Sequence, residues 1–87
     1  MTVLRKWNYE THQYDPYEVP DTWHCTAYEP DMQTLINCAQ CGKEIPFGLG
    51  YTSREVHTLL GFGYSVCQEC SEKEFVREIQ ARKKAHQ

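Results

Sequence analysis

Four of the five cysteines fall into two Cys-x-x-Cys pairs, Cys38-Ala39-Gln40-Cys41 and Cys67-Gln68-Glu69-Cys70, with 25 residues between them. Two intervening residues let both sulfurs of a pair face a common centre. Four thiolates suit tetrahedral zinc, with Zn–S bonds of about 2.3 Å. A lone pair is a weak signal, whereas two in one short chain are a strong one. The spacing therefore predicts one zinc ion held by Cys38, Cys41, Cys67 and Cys70. Two disulfides, or four free thiols, are the alternatives. A closed four-cysteine shell leaves no position for water or substrate, so the metal is read as structural.

Other chemistry is harder to assemble. Cys25 beside His24 is the one further thiol, and with no assembled acid or second histidine it reads as a small buried residue. His57 falls on a β-prone stretch and reads as a surface or half-buried residue. Gly48-Leu49-Gly50 and Gly61-Phe62-Gly63 lack phosphate-loop spacing and do not open helices. With no catalytic role filled, the expectation is a protein that is not an enzyme.

The elements that must position the cysteines follow from patterning. Val3, Arg5, Trp7 and Tyr9 alternate with Leu4, Lys6 and Asn8, as in a half-buried strand. Tyr14 to Asp21, with two prolines, reads as extended or turning, and Trp23 to Tyr28 as a second short strand. Gly42 follows the first pair directly, as in a zinc knuckle, where glycine permits the tight turn. Tyr51 to Thr58 is β-prone, Leu59 to Gly63 reads as a hairpin loop, and Tyr64-Ser65-Val66 returns to the second pair. After Cys70, Ser71-Glu72-Lys73-Glu74 reads as a capping box with Ser71 as N-cap, opening a helix whose face is Phe75, Val76 and Ile79. Glu74 with Arg77, and Glu78 with Arg82, are the expected helical charge pairs.

The 87 residues make one small domain. Its sections are an aromatic and acidic extension over 1–37, packing on a four-cysteine module with a C-terminal helix over 38–87. The fold class expected is small α+β. A core of this size barely offsets chain entropy, so a metal staple is expected on physical grounds. The formal charge is −3, and four thiolates around one divalent ion bring it to about −5. Acidity counts against general nucleic-acid binding, which depends on lysines and arginines displacing counterions. No stretch is long enough for a membrane span, and the N-terminus lacks a secretory apolar region. An odd cysteine count without a signal sequence fits a reducing, cytoplasmic setting.

Knuckle, hairpin, then Cys-x-x-Cys at a helix start is the layout of a treble-clef zinc finger. The run Cys38 to Ile45, with Phe62-Gly63-Tyr64-Ser65-Val66-Cys67 later, resembles the TRASH-type treble clefs over residues 38 to about 80. That resemblance implies a treble-clef fold, and treble clefs serve in many roles. The extension carries Trp7, Tyr9, Tyr14, Tyr17, Trp23 and Tyr28 among six carboxylates. Some rings are expected to cover the zinc module, others to anchor a partner. Tyr14, Tyr17, Asp21 and Trp23 are the candidate partner-binding residues. The leading expectation is a non-catalytic interaction domain acting on a larger protein. It is similar in general type to small acidic phage or mobile-element inhibitors, anti-CRISPR proteins included, which implies a nucleic-acid-handling target. The alternative is a nucleic-acid-binding zinc finger using Lys43, Arg54, Arg77, Arg82, Lys83 and Lys84.

Overall fold

The computed structural model describes residues 2–85. Met1 and residues 86 and 87, the end of the 38–87 section, lie outside them. The alternating N-terminal segment forms β1 (Thr2–Asn8), which pairs antiparallel with β2 (Gln13–Val19) through the turn at Tyr9–His12. Asn8 organises that turn: its Oδ1 accepts from the amides of Glu10 (2.8 Å) and Thr11 (3.3 Å). β1 also pairs with β5 (Tyr51–His57), which pairs with β6 (Gly63–Val66), giving an antiparallel sheet of order β2-β1-β5-β6. Gly63 fits there because a Cβ would lie 2.4 Å from the Ser53 carbonyl oxygen.

A second, two-stranded sheet joins β3 (Leu35–Asn37) to β4 (Glu44–Pro46), and a 3-10 turn at Phe47–Leu49 leads into β5. Helix α1 (Gln68–Ala85) closes the chain and packs on β5. The architecture is small α+β with one C-terminal helix. The core gathers Leu4, Val19, Ile36, Ile45, Val56 and Val66 around the cysteines, with Tyr17, Trp23, Phe47 and Tyr64 packed against it.

Three local expectations are corrected. Residues 23–28 are irregular, not a strand: the His24 carbonyl and amide are spent on Asn37, and the Thr26 carbonyl on Ser65, so the segment is laced down point by point. The helix begins at Gln68, and Ser71 lies inside it, its amide donating to the Cys67 carbonyl at 2.9 Å. A helical turn places residues three apart on one face, which is what Cys67 and Cys70 require. Ser71 and Glu74 are therefore no capping box. Glu74 is instead wholly buried, whereas Phe75 and Val76 are about half exposed. The face turned inward runs through Cys70 and Glu74, with Ile79 half-buried. Glu78 does pair with Arg82 at 2.7 Å, but Arg77 goes to Glu55 and not to Glu74.

Candidate metal centre

The first cysteine pair occupies the β3–β4 turn. The Cys38 amide donates to Lys43 O (2.8 Å) and the Gly42 amide to Cys38 O (2.9 Å), closing the knuckle. Gly42 sits at φ 80°, and a Cβ there would lie 2.3 Å from the Trp23 ring, so the ring lies flush on the turn. Asn37 braces the same turn, with Nδ2 donating to Gly42 O at 2.9 Å. The second pair takes its geometry from the β6–α1 junction, and the Ala39 amide donates to Ser65 O (3.1 Å), fixing the knuckle to β6.

These braces bring all four sulfurs within 4.8 Å of one another. The Cys41 and Cys67 sulfurs are 3.8 Å apart. A tetrahedron built on bonds of about 2.3 Å has edges of about 3.8 Å, so the arrangement has the dimensions of a thiolate metal site. Cys38, Cys67 and Cys70 are buried and Cys41 is exposed. The four-cysteine group can hold a metal ion.

Electrostatics at the site point the same way. Burial opposes ionisation of Cys38, yet backbone amides of Cys41, Cys67 and Gln40 aim at its sulfur and hold it below the ordinary thiol value. Burial pushes Cys70 up, as do hydrogen bonds to the sulfurs of Cys67, Cys38 and Cys41. Cys41 is also raised, first by burial. Four thiols so close do not ionise together unless a cation shares the site.

Gln40, inside the first pair, carries the site's connection to the rest of the fold. Its Nε2 donates to Glu55 Oε1 and to Glu74 Oε2, both at 2.8 Å. Glu74 accepts further from Ser53 Oγ (2.7 Å) and the Arg54 amide (2.6 Å). Glu55 is gripped by Arg77 through Nε and Nη2, each at 2.7 Å. Burial alone would raise the Glu55 carboxyl, but the Arg77 guanidinium holds it below the usual value. Sequence patterning misses this network, because two glutamates on a strand and a helix read as surface charges. A glutamine within the knuckle was the available signal.

The other candidate residues disperse. Tyr17 packs on the core, its hydroxyl donating to Gln40 O at 3.3 Å, with Lys6 Nζ 5.0 Å from its ring centre. Trp23 covers Gly42. Asp21 is exposed and accepts from Thr2 Oγ1 at 3.0 Å. Tyr14 stands on the sheet, edge-on to Trp7 (5.0 Å) and His57 (5.4 Å), beneath the Arg5 guanidinium. Cys25 is half-buried against the core, and burial raises its thiol. His57 is half-buried with its Nδ1 unpaired, and burial lowers its pKa. His24 meets Glu29 at 2.9 Å. Among the described residues, no helix is long and apolar enough to cross a membrane. No family model, curated protein or solved structure matches the chain.

Proposed function

We propose that this chain is a zinc-stapled protein-interaction domain without catalytic activity, acting in the cytoplasm on a larger protein. The observation that carries the reading is the convergence of four cysteine sulfurs within 4.8 Å, an all-thiolate donor set with no position left over for substrate. Thiolate softness and tetrahedral dimensions favour zinc as the ion. The order knuckle, strand pair, then a cysteine pair straddling the helix start supports a treble-clef-like module over residues 38 to about 80. In the finer version of the proposal the target handles nucleic acid, and the domain inhibits it as an anti-CRISPR protein would. Acidity is what favours that version, since carboxylates such as Asp21 can occupy sites meant for phosphates.

A nucleic-acid-binding finger is the competing reading, and the pairing of its cations weighs against it. Arg54 and Arg82 both engage Glu78, and Arg77 engages Glu55, leaving Lys43, Lys83 and Lys84 of the six. Two measurements test the proposal. Purified protein should contain one equivalent of zinc, and less than half an equivalent rejects the staple. Titration against mixed DNA and RNA should show no binding at physiological salt, whereas binding that falls steeply with salt would establish the finger.

A further inference from the structure

The two cysteine pairs differ in what the residues between the cysteines do. Gln68 and Glu69, inside the second pair, are exposed, and Gln68 Nε2 reaches only Glu72 on the helix surface, at 3.3 Å. Inside the first pair Ala39 is wholly buried, and Gln40 is fastened from three separate elements. Its carbonyl accepts from Tyr17 of β2 at 3.3 Å, and its Nε2 donates to Glu55 of β5 and Glu74 of α1, each at 2.8 Å. Its own amide points at the metal end, donating to Cys38 Sγ at 3.4 Å, beside the Cys41 amide at 3.5 Å. A side-chain amide is planar, with its two hydrogens in fixed directions. Held by two acceptors that are themselves wholly buried, it has one place to be, and the peptide behind it is held as well.

We propose that Gln40 is a positioning residue for the metal: it holds the peptide whose N–H meets Cys38 Sγ, and so ties retention of the ion to the buried Glu55 and Glu74 carboxylates. The proposal rests on the zinc reading above and names the part of the fold that governs how tightly the ion is kept. A hydrogen bond from an amide to sulfur favours the thiolate and aims its lone pairs, which is how groups behind the ligands tune a metal site. Satisfying the carboxylates does not by itself call for a residue from the knuckle. Glu74 also accepts from Ser53 and the Arg54 amide, and Glu55 from both Nε and Nη2 of Arg77. What the knuckle residue adds is a connection that works in both directions. An ion that draws Cys38 into its shell keeps Gln40 in front of the carboxylates, and the carboxylates keep Gln40 in place for Cys38. Linkage requires the two effects to be equal in free energy.

The test uses the full chain loaded with zinc, and with cobalt(II) as a spectroscopic probe of the thiolates. Gln40→Met keeps the side-chain length and removes the donor. Arg77→Met is the control, since it weakens the same carboxylate pair without touching the Gln40 peptide. Circular dichroism confirms folding, chelator competition gives zinc affinity, and the thiolate-to-cobalt charge-transfer band reports the sulfur environment. In Gln40→Met the affinity should fall about tenfold or more beyond any fall in Arg77→Met. Its charge-transfer band should move to lower energy, because a thiolate with a weakened N–H bond gives up electron density more easily, while Arg77→Met keeps the wild-type band. Tyr17→Phe removes only the hydroxyl at the Gln40 carbonyl and should give a smaller change of the same sign. Should Gln40→Met not fold, Tyr17→Phe decides alone, and a wild-type band and affinity there overturn the proposal. Gln40→Met that matches Arg77→Met in affinity and keeps the band overturns the positioning role and leaves the zinc reading intact. Wild-type protein without zinc overturns both.

Discussion

The four-cysteine end and the β5–β6 loop of this molecule are both ordered, but by different means. Around the cysteines, backbone and side chains alike find partners inside: Gln40 serves two carboxylates, Asn37 holds Gly42, and Trp23 lies on the turn. In the loop the partners are found by the backbone and the Thr58 hydroxyl, and Leu59, Leu60 and Phe62 face solvent. The difference teaches that rigidity and display are separable here. The four-cysteine end is built into the core, and the loop borrows its shape from five hydrogen bonds without contributing its side chains to the core.

Removing the metal should break the first region outright. Cys38→Ser or Cys70→Ser, or a strong chelator on the wild type, should leave the chain largely unfolded by circular dichroism, with reductant having no effect. Structural zinc contributes on the order of 10–16 kcal/mol in small peptides, as much as a whole domain's stability. Cys25→Ser should keep the metal. If Cys25→Ser lost it while Cys41→Ser retained it, the ligand set would be wrong.

A smaller break runs through the buried carboxylates. Arg77→Met leaves Glu55, whose side chain is 2% exposed, without its cation. Breaking such a pair costs about 3–5 kcal/mol when both partners are buried, and Arg77 is 44% exposed, so about 2 kcal/mol is expected in urea unfolding. A variant as stable as wild type would mean that Gln40 alone satisfies Glu55.

How legible these regions were in the sequence follows the same division. The clustering of the four cysteines, β1, β5 and the hairpin loop were readable, because spacing and alternation are local signals. The helix start was misplaced because Ser71-Glu72-Lys73-Glu74 mimics a capping box, while the need to bring Cys67 and Cys70 onto one face moved the helix earlier. Glu55 and Glu74 were invisible as core residues, since what allows their burial is donors from Ser53, Arg54, Gln40 and Arg77, distant in sequence. The β3–β4 pair was missed because each strand has three residues, too few for any periodicity.

Tyr9, between the sheet and α1, sharpens the comparison, being a half-buried side chain whose hydroxyl is out of solvent and poorly satisfied. Its hydroxyl is shut off from solvent without a hydrogen bond of normal geometry, and burial, followed by the charge and approach of the Glu55 carboxylate, pushes its phenol up from 10.0 to about 12. Tyr9→Phe should stabilise the domain by on the order of 1 kcal/mol at neutral pH, since a poorly satisfied hydroxyl is removed. The pH dependence fixes the sign. With the folded value raised, Tyr9's neutral form is matched in both states below pH 10, and wild-type stability falls as the unfolded phenol ionises between pH 10 and about 12. The advantage of Tyr9→Phe should therefore widen over that interval in thermal melts. A gap that is constant or narrows would show that the Tyr9 phenol is not raised in the folded state.

The smallest expected effect on stability is in the loop, and it is the most informative about the comparison. Leu60 is 84% exposed and makes no part of the core cluster, so Leu60→Ser should change unfolding free energy by less than about 0.5 kcal/mol. The loop hydrogen bonds run through Thr58, Gly61, Phe62 and the Leu59 carbonyl, none of which the substitution touches. Urea unfolding of zinc-loaded wild type and variant, at matched metal and reductant, measures the difference directly. A loss of more than about 1 kcal/mol would make Leu60 a contributor to the fold. The separation of display from rigidity would then fail at the residue where it is sharpest.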